Sequence, residues 1–159
     1  MKRHDFLEKW GLSSLKFRLG FLEGEFKPQE SDRAAAWELY VELLTRVTTQ
    51  YLAPEHGDEQ AALESIDIIF PLTRDILRRY GPDAGEFAKL AIPVLNQLIR
   101  PFTAKWHRRS LEGAFGDTEW CRNFRIELAV LQVRLRDYTR ALSDMAQVED
   151  LTVLEETEP

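Results

Sequence analysis

The stretch WCRNFRIELAVLQVRLRDYTRALSDM, residues 120–145, decides the fold class. Trp120, Phe124, Leu128, Leu131, Leu135, Tyr138, Leu142 and Met145 follow one another at steps of 4, 4, 3, 4, 3, 4 and 3. Steps of three and four keep side chains on one side of an α-helix, whereas a half-buried strand needs a step of two. The spacing predicts a long helix with a nearly heptad seam, capped by Asp117 or Thr118. Such a seam has to be buried against other helices.

Three more amphipathic segments lie upstream. Over 84–110, Phe87, Leu90, Ala91, Val94, Leu95, Leu98, Phe102 and Trp106 line one side. Pro93 and Pro101 interrupt that segment, and a break at Pro101 is expected, because proline pushes the residue before it (Arg100) toward an extended backbone. Over 58–80, Leu63, Ile66, Phe70, Leu77 and Tyr80 form the apolar face, with Pro71 expected to kink the helix and Gly81-Pro82 to stop it. A first helix opens at Ser31 or Asp32 and ends at Pro54 and Gly57. Its apolar side is read as Trp37, Tyr40, Val41, Leu44, Val47 and Tyr51, which leaves Leu39 and Leu43 to meet another subunit.

The expectation is an all-α fold, a bundle of four main helices with proline kinks, forming one domain over 1–148. In front of it, Leu15, Phe17, Leu19 and Phe21 alternate with Lys16, Arg18 and Gly20. This strand-like alternation makes 1–30 an extended arm or short hairpin that needs a pairing partner. Residues 149–159 read as an acidic flexible tail.

Charge and cysteine content exclude several functional classes. The net charge is −6, and the last twelve residues hold five carboxylates and no base, so the body is close to neutral. A general polyanion-binding surface needs more positive charge. The single cysteine, Cys121, excludes an internal disulfide and a multi-cysteine metal framework. No apolar run approaches the roughly 18 residues of a membrane span, and the charged N-terminus lacks the apolar core of a signal peptide, so the expected location is cytoplasmic.

The concentration of chemistry is LNQLIRPFTAKWHRR, residues 95–109. On a continuous helix, Asn96, Arg100, Thr103 and His107 share a face, and Lys105, Arg108 and Arg109 add positive charge beside it. An amide, a guanidinium, a hydroxyl and an imidazole in a row suit an anionic ligand. The plainer readings are a solvated face beside the Phe102/Trp106 stripe, or an internal ion pair from Arg100 to Asp67 or Glu64. Bases interleaved with Trp106 resemble a single-strand nucleic-acid surface, but Trp106 is in register with the core stripe. The acidic tail has the charge to fold over this patch.

No metal site, cofactor or catalytic residue is assigned. His4, His56 and His107 lie far apart and match no metal spacing. Arg122 and Arg125 near Cys121 are of the kind that lowers a thiol pKa, yet no histidine is adjacent in sequence.

The run LNQLIRPFTAKWH, with Asn96, Arg100-Pro101-Phe102 and Trp106-His107, resembles a segment of small bacterial helical proteins of unassigned function. The upstream AAWELYVELLTR, residues 35–46, belongs to the same pattern. The resemblance implies a bacterial accessory protein of the kind that accompanies prophage or defence-type gene clusters, and transfers no activity.

The leading functional expectation is a non-enzymatic interaction or assembly module, self-associating or a subunit of a larger complex. The alternatives are binding of an anionic ligand or nucleic acid through residues 100–109, and an enzyme using His107 with Asn96 and Arg100.

Overall fold

The computed structural model describes residues 2–15, 25–53 and 55–152, and within these the chain is all-α. The helices are α1 (Arg3–Lys9), α2 (Glu30–Leu44), α3 (Glu59–Asp67), α4 (Ile69–Tyr80), α5 (Gly85–Pro93), α6 (Arg100–Leu111) and α7 (Thr118–Ala146). No helix among the described residues is long and apolar enough to cross a membrane.

The seam on α7 is buried as its spacing predicts: Phe124, Leu128, Leu131, Leu135, Tyr138, Leu142 and Met145 all lie in the core, with Trp120 at its edge. Asp117 caps the helix, accepting from the backbone N–H of Glu119 at 2.8 Å and of Trp120 at 3.2 Å.

The helix α2 packs mainly on α7 and also meets α4 and α5. Its buried face is Asp32, Ala35, Ala36, Leu39, Tyr40 and Leu43, which keeps Tyr40 of the expected apolar side, with Leu44 and Val47 at the core's edge, but turns Trp37 and Val41 outward. Leu39 and Leu43 are fully buried inside this chain, while Trp37 and Val41 are partly open to solvent. Two adjacent alanines explain the difference, because their small side chains let α2 approach its neighbours closely. The helix also starts one residue before Ser31. Gln29 and Asp32 form its capping box, in which the Asp32 Oδ2 accepts from the Gln29 N–H at 2.8 Å.

Helix α2 ends at Leu44, well short of Pro54. The hydroxyls of Thr48 and Thr49 each donate to the Leu43 carbonyl at 2.8 Å, and Gln50 Nε2 donates to the Leu44 carbonyl at 3.1 Å. Side chains thus satisfy the terminal carbonyls that further helix would have used. Polar groups of α7 then hold the following loop: Gln132 donates to the carbonyls of Val47 and Gln50, Arg136 to that of Thr49, and Arg125 to those of Leu52, Ala53 and His56. These three side chains sit at helical spacing on one side of α7.

The second expected helix appears as α3 and α4, divided at Ile68. Pro71 has no N–H for the carbonyl of Asp67, so the division falls where the proline removes a bond. The third expected helix does not break at Pro101. Arg100 keeps helical angles (φ −57°, ψ −44°) and its N–H reaches back to the Leu95 carbonyl. A π-type segment, Val94–Ile99, carries α5 into α6 and places Pro101 in the first turn of the new helix, where no N–H is required.

At the N-terminus, residues 3–9 are helical rather than extended. Phe6 and Leu7 are buried, with the Phe6 and Phe26 rings 4.8 Å apart, and Lys9 and Trp10 both donate to Asp144 near the end of α7. The expected strand-like run over 15–21 lies outside the described residues except for Leu15, which is buried. Lys2 and Glu25 form an isolated antiparallel bridge. At the other end, residues 149–152 are docked instead of free. The Leu151 N–H donates to Tyr40 Oη at 2.7 Å, Thr152 is buried, and Arg140 reaches both Thr152 and Asp150. This part of the tail therefore lies over Tyr40 and Arg140, away from the 100–109 segment. Residues 153–159 are outside the described residues.

Candidate protein-interaction face

The residues of the 95–109 stretch do not converge on one point. Asn96 and Arg100 touch each other, with Arg100 Nη2 3.4 Å from Asn96 Oδ1, and the Arg100 guanidinium lies over the Phe70 ring at 4.7 Å from its centre. Arg100 thus stacks on α4 rather than pairing with Asp67 or Glu64. Thr103 turns inward, is buried, and donates to the backbone carbonyls of Ile99 and Arg100. His107 reaches Asp67 of α3, Nε2 to Oδ1 at 3.4 Å. The bases beside them are also paired: Lys105 with Glu127, and Arg108 and Arg109 with Glu112. Carboxylates neutralise the patch locally, which lowers its attraction for an anion.

The His107–Asp67 pair is about half exposed on both sides, and exposed pairs contribute little to stability. His107→Ala is therefore expected to change unfolding free energy by less than about 1 kcal/mol in urea titration. A larger loss would make the imidazole a structural group.

The surroundings of Cys121 disfavour its thiolate. Its Sγ donates to the Phe115 carbonyl at 3.3 Å. Burial pushes the thiol pKa up, the neighbouring Glu59 carboxylate pushes the same way, and Arg125 opposes them only in part. Arg125 does not activate the thiol because it is committed to Glu59, Nε to Oε1 at 2.7 Å, and to loop carbonyls. The sign follows: less thiolate at neutral pH than a free cysteine has. A disulfide probe at pH 7 should react with Cys121 more slowly than with free cysteine, and the rate should climb with pH beyond the free-thiol range. Equal or faster reaction at pH 7 contradicts this.

Among the described residues, His4, Asp5 and Glu8 bring three ligand atoms within 4.8 Å of one another. They are neighbours on the outer side of the seven-residue α1, a clustering that helical spacing produces by itself.

The side of α7 opposite its core seam is different in kind. Ile126, Val130 and Val133 recur there at steps of 4 and 3 and are 57%, 65% and 55% exposed. Branched aliphatic side chains this open are each ordinary, but three in a row on one helix face form a ridge. Clefts run along both sides of it. One, of about 490 Å³, lies between α7 and the 51–52 loop, with Tyr51, Leu52, Cys121, Arg122, Ala129 and Gln132 in its walls. The other, of about 460 Å³, lies between α7 and the start of α6, against Leu98, Pro101 and Phe102. Tyr51 is itself more than half exposed, which extends the apolar surface beyond the helix.

No family model, curated protein or solved structure matches this chain.

In the sequence the ridge is masked by the larger residues of the inner seam on the same helix. The signal was present: a second set of apolar residues at 126, 130 and 133, about half a turn from the first. Of the seven residues singled out between 96 and 109, only Lys105 borders either α7 cleft.

Proposed function

We propose that this chain is a non-enzymatic protein-interaction module, an accessory subunit acting in the cytoplasm of a bacterium, whose contact surface is the outer face of α7. The single observation that supports this reading is the Ile126–Val130–Val133 ridge, set between two clefts on a helix whose other side is already committed to the core. A helix apolar on two opposite faces is what a buried helix looks like. Here the second face has no cover among the described residues. The setting in a bacterial complex follows the resemblance of the 95–107 segment. Paired bases over 100–109 argue against the nucleic-acid alternative, and His107, engaged with Asp67 apart from the Asn96–Arg100 contact, argues against the enzyme.

The test is Val130→Glu. Val130 is exposed, so the variant should keep its helical circular dichroism and melting temperature. A carboxylate at the centre of a desolvated contact should cost at least about 2 kcal/mol of binding, roughly thirtyfold in Kd. The expected result is a protein partner retained by the wild-type chain and lost by the folded variant. If both retain the same proteins, the face is not the contact surface. Binding of a mixed oligonucleotide that weakens steeply with salt would instead return the function to residues 100–109.

A further inference from the structure

We propose that residues 153–159 continue the docked strap 149–152 along α7 and cover the cleft beside Tyr51, so that the chain's own acidic tail shields part of the contact face. This rests on the interaction reading above and adds its regulation. The start of the path is set by described residues. Gln147, at φ 57° and ψ 43°, reverses the chain after α7, and the Val148 N–H donates to the Ser143 carbonyl at 3.1 Å. The Leu151 N–H then donates to Tyr40 Oη, and Arg140 Nε donates to Thr152 Oγ1 at 3.2 Å, with Asp150 3.7 Å from the same guanidinium. The chain has thus returned from Ala146 to the level of Arg140, about 9 Å back along the helix at 1.5 Å per residue. It runs antiparallel to α7 on the side that faces α2.

The groups ahead on that line suit the residues that follow. Arg136 lies one turn further on, donates to the Thr49 carbonyl, and has no ion-pair partner among the described residues. Past it the cleft opens, with Tyr51, Ile126 and Ala129 in its walls and Arg122 at its far end, exposed and likewise without an ion-pair partner among the described residues. Glu59, the carboxylate in that wall, is already paired with Arg125. The segment reads Val153-Leu154-Glu155-Glu156-Thr157-Glu158, apolar groups first and then three carboxylates. Glu155 or Glu156 against Arg136 repeats, one turn on, the pair that Asp150 makes with Arg140. Seven extended residues span up to about 23 Å, and Ala129 is about 16 Å from Arg140 along the helix, so the tail reaches the cleft. The other side of this part of α7 is taken, because Arg134 holds the Gly11 carbonyl and Asp137 lies against Gly11. A tethered segment meets its site at an effective concentration of about millimolar, so weak contacts are enough to hold it. A protein partner then has to displace it.

The experiment uses the full chain carrying Cys121→Ser. Thr157→Cys is combined with Ala129→Cys on the path, or with Val41→Cys, which follows Tyr40 on α2, faces the cleft toward α4 and is also within reach of a segment tethered at Thr152. In glutathione redox buffer the 129–157 disulfide should form within one chain, with an effective concentration at least about tenfold above that of 41–157. Arg136→Glu should lower that value at least about threefold. So should Glu155→Lys with Glu156→Lys, which leaves every described contact in place and serves if Arg136→Glu loses its helical spectrum. Three results would overturn the inference: equal values at positions 129 and 41, a value indifferent to the charge reversals, or a disulfide-linked product of twice 18.5 kDa, which would make a second copy the occupant. Failure of the tail is distinguishable from failure of the contact face. Capture of a protein through Val130 without the 129–157 preference would remove the tail and keep the interaction module. The 129–157 preference without such capture would keep the docked tail and remove the partner.

Discussion

Trp106→Ala should destabilise the protein by about 3–5 kcal/mol, the range for emptying a large aromatic site in a core. Trp106 is 0% exposed. Its ring lies 5.1 Å from Phe124 and 6.0 Å from Trp120, both edge-on, and stacks near Phe115 at 6.1 Å. Its indole N–H donates to Glu127 Oε2 at 2.9 Å, which ties α6 to α7. The alanine variant loses the ring's transfer energy and its aromatic contacts, and leaves a cavity between the two helices. With a total stability of about 5–15 kcal/mol expected for a domain, much of the margin would go. Trp106→Phe keeps most of the volume and removes the donor, so a loss of about 1–2 kcal/mol is expected. Urea unfolding of the two variants measures both numbers. An alanine variant within about 1 kcal/mol of wild type would mean that the site collapses around the gap or that Trp106 is not core.

Asp32→Ala should cost about 3 kcal/mol, by a different cause. Asp32 is 1% exposed, and its two oxygens accept from two backbone N–H groups. One is Gln29 at the start of α2, at 2.8 Å, and the other is Phe87 in the first turn of α5, at 2.9 Å. The carboxylate thus sits between two helix N-termini, where the backbone dipoles favour negative charge. Alanine leaves both donors without this acceptor, and a buried donor stripped of its partner costs about 1–3 kcal/mol. Asp32→Asn retains one carbonyl acceptor and should lose roughly half as much. Measured unfolding energies that rank alanine below asparagine below aspartate would bear this out. Equal stability of all three would show that water replaces the carboxylate.

Asp32 and Trp106 also show how much of the molecule was legible beforehand. Trp106 was readable as core because it continues the step from Leu98 through Phe102, and periodicity is a local property. Asp32 was readable as a capping residue of α2, but its bond to Phe87 was not, since 55 residues separate them. The same limit explains the misplaced face of α2. Its buried set includes Ala35 and Ala36, whose weak hydrophobicity loses to Trp37 and Val41 in any count of large apolar groups, although they are what lets the helices meet.

The candidate site divides along the same line. Residues 96–109 attracted attention because they gather functional groups in sequence, and the structure then gave nearly every one of them a partner on a neighbouring helix or a nearby turn. The α7 ridge attracted none because exposure is not a local quantity. Ile126 is as apolar as Leu128, and only the packing of α2 and α6 against the seam side of α7 leaves the ridge without cover among the described residues.

What the sequence by itself determined is the helical class, the inner seam of α7 and the absence of a multi-cysteine framework. Each depends on short-range periodicity or on composition. What only the tertiary structure decided is where α2 stops, how the backbone passes Pro101, which bases keep free charge, and which apolar face faces out. Each of these depends on groups distant in the chain competing for the same backbone carbonyl, carboxylate or surface, and that competition is settled only when the helices pack.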